Sequence, residues 1–201
     1  MLGVHVHISA KGVRPDTDIT VTVIPDEIDV PLMRGDLHTL KNVCRYASVV
    51  MLAGEIAFLV LIAATLVLGA MSFGSAEMRE FFVGLVRCGG SDLSLIAATL
   101  EMALIFVAMF ITVKAIHDIM VSIQNEHSPF LVANADRFKT VCLAYLILSV
   151  PLTLLEYLNR EDAVMAVIVL LVCMLIAVCL YCLTIVFRYG SMLQTESDQT
   201  L

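Results

Sequence analysis

Between Ala163 and Phe187 the chain carries no Asp, Glu, Lys, Arg or His. A helix crosses hydrocarbon in roughly 20 apolar residues, and this run is longer, so it reads as a membrane-spanning helix. Arg188 ends it, and Tyr189 to Leu201 turns abruptly polar and acidic. Location and architecture are therefore legible from the sequence, whereas activity is not.

The totals agree with a small polytopic membrane protein. Hydrophobic residues make up 60% of the chain and charged ones only 15%, outside the usual range of a water-soluble domain. A net charge of −7 without any Lys/Arg cluster argues against direct nucleic-acid contact, which needs a concentrated basic footprint. No secretory leader is expected in residues 1–33, which lack a continuous apolar segment.

Three further runs complete the expected fold, an all-α membrane protein with four transmembrane helices in a bundle. Asp36 is the expected cap of a helix leading into the first span, Val49 to Met71; the second covers about Leu93 to Val113. Ser128 and Pro129 are read as N-cap and first residue of the third helix. Its span runs from Thr140 to about Leu158 and contains Pro151, expected to loosen or kink it by removing one backbone donor. Asn159 to Asp162 form a tight turn before the fourth span, 163–187.

Two smaller elements flank the spans. Val4, Val6 and Ile8 alternate with His5, His7 and Ser9, and Ile19, Val21 and Val23 alternate with Thr20 and Thr22, the pattern of strands. Residues 1–33 are thus expected to be a β-hairpin extension, with Ile28, Val30 and Leu32 as a third short strand, and 34–201 the membrane domain. His5 and His7 with Asp16 or Asp18 make only a weak metal set, and a solvated strand face is the heavier reading. Between the first two spans, Met78, Phe81, Phe82, Leu85 and Val86 recur at helical spacing. Ala76 to Cys88 is read as an extracytoplasmic amphipathic helix on the membrane surface, opened by Ser75 and stopped by Gly89.

Lys and Arg accumulate on the cytoplasmic side of membrane proteins. Arg34, Lys41, Arg45, Lys114, Arg137, Lys139 and Arg188 fall on one side, against Arg79, Arg87 and Arg160 on the other, so both termini are expected inside.

Candidate chemistry rests on three carboxylates that interrupt the spans. From the helical rise, Glu55 is expected roughly 9 Å in from the cytoplasmic end, Glu101 roughly 18 Å and Glu156 roughly 22 Å, a ladder that reads as a path for protons or small cations through the bundle. The competing reading is a neutral Glu101 carboxyl bonded to Thr99, Tyr145 or Tyr181. Ala53, Ala57, Ala97 and Thr112 suit close helix packing. Four of the six cysteines lie within or at the ends of apolar runs and read as small hydrophobes, Cys179 and Cys182 included despite their redox-like spacing. No phosphate loop, His-Glu-x-x-His or nucleophile elbow is present. No enzyme activity, cofactor or metal is expected.

Ser128-Pro129-Phe130 together with Phe187-Arg188-Tyr189-Gly190, Leu193-Gln194, Glu196, Asp198 and Thr200 resembles the bacterial four-span proteins of domain-of-unknown-function family 2975, over roughly Leu40 to Leu201. The N-terminal hairpin and Pro151 depart from the family's pattern. The resemblance implies a bacterial plasma-membrane component, often encoded beside a small cytoplasmic helix-turn-helix regulator, with no established activity. It further implies a tail in which Gly190 allows a bend or a close contact, Leu193 returns to the bundle and Glu196 and Asp198 come toward Arg137, Lys139 or Arg188; a frayed tail is the alternative. The cytoplasmic polar set is then Ser128, Pro129, Asn134, Arg137, Arg188, Gly190, Gln194, Glu196 and Asp198, and the intramembrane set Glu55 and Glu101. The expected role is a membrane-embedded regulatory or partner-binding subunit, with a small transporter as the other reading. Association with a second copy stays open.

Overall fold

The structure is a computed structural model that describes residues 30–125 and 130–199. Among these residues five helices and no strand are found: α1 (Val30–Met71), α2 (Ala76–Val86), α3 (Asp92–Gln124), α4 (Val132–Arg160) and α5 (Ala163–Gln199). Four segments are long and apolar enough to cross a membrane: Lys41–Met71, Asp92–Gln124, Val132–Arg160 and Ala163–Glu196. This is the architecture of a multi-pass membrane protein. Contacts divide the chain into two units, Met1–Asn42 and Val43–Leu201. Within the first, only the helical backbone from Val30 onward is described, so the hairpin expected before it lies outside the described residues.

Several boundaries differ from expectation for physical reasons. Val30 and Leu32 belong to α1, not to a third strand, and Asp36 lies inside that helix instead of capping it. Pro31 falls in the first turn, where a missing N–H breaks no intrahelical bond. Ser128 and Pro129 lie outside the described residues, and α4 opens one turn later with Leu131 at its N-cap. Pro151 does not interrupt α4, which is helical through Arg160. Helix α2 ends at Val86 because Arg87 takes the left-handed conformation and its N–H returns to the Val83 carbonyl at 2.7 Å. The expected stop, Gly89, instead gives its N–H to Ser94 Oγ at 2.8 Å. Of the apolar stripe expected on α2, Phe82 is buried while Phe81 and Leu85 stay exposed.

The helices pack in the order α1, α3, α4, α5. Gly69 lets α1 approach α3 so closely that an added Cβ would stand 3.0 Å from Thr99 Cβ. Ala53 and Ala57, expected to serve that role, are exposed; Gly54 and Gly69 take it. Ala108 of α3, Val141, Cys142 and Tyr145 of α4 and Ala177 of α5 form the central core. A second cluster joins Phe82 to Cys88, Leu95 and Ala98 at the α2 end. The buried positions Tyr145, Ser149, Leu152, Glu156 and Asn159 alternate by four and three residues, the period of a helix face turned to its neighbours.

Candidate functional site

Intramembrane polar groups collect at the two rims of the bundle. At the α2 end, Ser91 caps α3 by accepting the Ser94 N–H, and Ser94 Oγ donates to the Asn159 carbonyl at 2.9 Å. Asn159 Nδ2 donates to Glu101 Oε2 at 3.1 Å, while Arg160 Nε reaches Glu156 Oε1 at 3.0 Å. Glu156 and Asn159, one turn apart on the buried face of α4, thus belong to the same cluster as Glu101. Ser94, Glu101, Glu156 and Asn159 are all buried. Two carboxyls and one guanidinium carry a single negative charge when both are ionised, and none when they hold one proton between them. Low polarity makes such a set costly to break.

Glu101 was expected to bond Thr99, Tyr145 or Tyr181. Thr99 instead donates to its own helix at Leu95, Tyr145 pairs with Thr112, and Tyr181 is exposed. Asn159, read from the sequence as part of a tight turn, is buried within α4 and supplies the partner. The signal that would have found it is its place on the Tyr145-to-Glu156 face.

At the opposite rim, His117 Nδ1 meets Glu55 Oε1 at 2.6 Å. Gln124 Nε2 donates to the Cys44 carbonyl at 2.9 Å and to Ser48 Oγ at 2.7 Å. Arg137 Nη1 donates to the Asp118 carbonyl at 2.9 Å and to Asn134 Oδ1 at 2.7 Å, so Asn134 and Arg137 of the expected cytoplasmic set do come together. Around them Phe187 packs on Phe130 and Phe138, with centroids 5.6 and 5.0 Å apart. Of the bend or close contact expected at Gly190, the structure has the close contact: the residue lies inside α5 without bending it and leaves room for the Phe130 ring. The tail continues α5 instead of folding back, with Arg188, Leu193, Gln194 and Glu196 on exposed positions and Asp198 in its final turns. A Gly costs a helix about 1 kcal/mol, too little to end one that is otherwise well supported.

These contacts replace the ladder with two separate groups. Glu101 and His117 are sixteen residues apart on α3, about 24 Å. The stretch nearer Glu101 is apolar, with a cavity of about 240 Å³ among Ile105, Ala108, Met109, Leu152 and Val172. The polar groups within it are tied locally: Thr112 pairs with Tyr145 at 3.2 Å, and the Ser149 and Thr153 hydroxyls donate to carbonyls of their own helix. Among the described residues no three His, Cys, Asp or Glu side chains converge as a metal site requires. Cys179 and Cys182 are exposed, and Cys142 gives its thiol to the Ala177 carbonyl at 3.2 Å.

Residues 102–113 and 140–155 carry no charge, and Lys114 of α3 and Lys139 of α4 end these stretches. Glu55 and His117 lie within two of the segments long and apolar enough to cross a membrane, Lys41–Met71 and Asp92–Gln124. Toward this end of the bundle Val43, Tyr46, Val49 and Val50 of α1, and Tyr189 and Met192 of α5, are exposed. Tyr46 is 75% accessible. No family model, curated protein or solved structure matches the chain.

Proposed function

We propose that the chain is a membrane-embedded partner-binding subunit, of the kind implied by its resemblance to family 2975, working at the cytoplasmic face of a bacterial plasma membrane. Both termini are then inside and α2 lies on the outer surface. The observation that carries this reading is the exposed apolar surface of Val43, Tyr46, Val49, Val50, Tyr189 and Met192 at the Arg137 end of the bundle, which we place beyond the lipid tails because Lys114 and Lys139 end the uncharged stretches there. Exposed apolar patches of that kind mark binding surfaces. Glu101 and its neighbours are then a structural clamp at the far rim. The partner chemistry that fits is a small helical protein presenting an apolar face, such as a helix-turn-helix regulator.

Affinity capture from gently solubilised membranes with such a regulator co-expressed tests this. Val50→Lys alters a side chain that points away from α3 and is expected to lower regulator recovery at least about tenfold, the scale of a buried apolar anchor in an interface. Arg137→Gln is expected to weaken recovery as well by loosening α4 from α3, while Glu101→Gln leaves it unchanged. Undiminished recovery with Val50→Lys, or recovery of the bare chain or a second copy alone, would count against the regulator reading.

One observation favours a second reading, a small proton- or cation-conducting protein: the His117–Glu55 pair, two ionisable side chains in contact and largely removed from solvent. In proteoliposomes, that reading expects both His117→Asn and Glu101→Gln to abolish dye-reported proton flux. We expect no flux above protein-free vesicles, because the apolar stretch between the rims breaks the path. A wild-type flux lost in both variants would reverse the order of the two readings.

A further inference from the structure

At the Lys114 level, α3 and α4 leave a groove of about 200 Å³ lined by Ile111, Lys114, Ala115, Asp118, Arg137, Thr140 and Val141. Positions 111, 114, 115 and 118 follow the spacing of one helix face. The groove has an apolar wall, Ile111 and Ala115 over the buried Val141, and a charged rim of Lys114, Asp118 and Arg137. Arg137 donates to two uncharged oxygens, so those bonds hold the guanidinium in place without neutralising it. Lys114 is exposed and enters no ion pair among the described residues. Against these two cations stands one carboxylate, Asp118. The groove is thus locally basic in a chain of net charge −7, and a diffuse attraction for anions does not account for it.

We propose that this groove binds one anionic phospholipid, its phosphate between Lys114 and Arg137 and an acyl chain along Ile111 and Ala115. Lys114 ends the uncharged stretch of α3, the level at which a headgroup would lie, and the apolar and charged parts of the groove match the two halves of such a lipid. Basic pockets between membrane helices on the cytoplasmic side take anionic headgroups in this way. A free phosphate would leave the apolar wall unused, and a peptide would have to displace the headgroup layer to reach it.

The test is native mass spectrometry of the intact purified protein, delipidated and then given equal amounts of phosphatidylglycerol and phosphatidylcholine. We expect one phosphatidylglycerol to be retained preferentially. Lys114→Gln should lower that retention about fivefold, the share of one basic residue at an anionic headgroup, with phosphatidylcholine unaffected. Lys139→Gln removes a charge at the same level outside the groove and should change retention less than about twofold. Ile111→Trp fills the apolar wall while keeping every charge, and should expel the lipid. Equal retention of the two lipids by the wild type would overturn the proposal. So would an equal loss in Lys139→Gln, unchanged retention in both Lys114→Gln and Ile111→Trp, or displacement of the lipid by inorganic phosphate.

Discussion

Replacing Gly69 by leucine is expected to cost about 3 kcal/mol of folding stability, at the upper end of what overpacking exacts. A side chain at this position enters the Thr99 side chain, whose Cβ would stand 3.0 Å from the new Cβ. Thr99 has little room to yield: it is buried, β-branched and bonded to the Leu95 carbonyl at 2.8 Å. Relief must come from α1 moving off α3, which also stretches the Glu55–His117 and Gln124–Ser48 contacts. Gly84 supplies the contrast. It lies in α2 with nothing within 4 Å of its added Cβ, so Gly84→Ala is expected to be neutral or to stabilise by up to about 1 kcal/mol through helix propensity. Denaturant unfolding in mild detergent measures both. A Gly69→Leu protein as stable as the wild type would mean that α1 is not held against α3 at this point.

The second large effect is expected at Asn159. Leucine there removes the donor to Glu101 and the side-chain oxygen near Ser94, leaving a buried carboxyl oxygen without its partner. Stranding a buried polar group costs about 1–3 kcal/mol, more when it is charged, and we expect a loss near 2–3 kcal/mol. Glu101→Gln should be mild, because its amide oxygen still accepts from Asn159. The combined Glu101→Leu, Asn159→Leu variant should lose less than the sum of its single changes, since removing both partners strands neither. If Asn159→Leu unfolds at the wild-type midpoint, the rim cluster has no structural role.

The contrast between Asn159 and Gly190 shows which kinds of reading a sequence supports. Asn159 adjoined Arg160, Glu161 and Asp162, and composition alone placed it in a tight turn; the spacing of four and three from Tyr145 was the better guide to its burial. Gly190 followed the end of an apolar run and was read as a bend or a close contact, and only the Phe130 ring across from it decides for the contact. A change in composition does not by itself end a helix. Glu55 was placed by its depth along one helix, and depth alone does not name His117 as its partner.

The number and order of the spans were determined by the sequence itself. A charge-free stretch of adequate length has one low-energy solution in hydrocarbon, a helix that satisfies its own backbone, and that solution needs no information from elsewhere in the chain. Tertiary structure alone decided that Glu101 meets Asn159, that Glu55 meets His117, and that the polar groups form two rims and not one path. Those meetings depend on how far each helix slides and turns against its neighbour. A few close contacts such as Gly69 on Thr99 and Gly190 against Phe130 help set that register, whereas the periodicity of one helix names a face without naming what lies opposite.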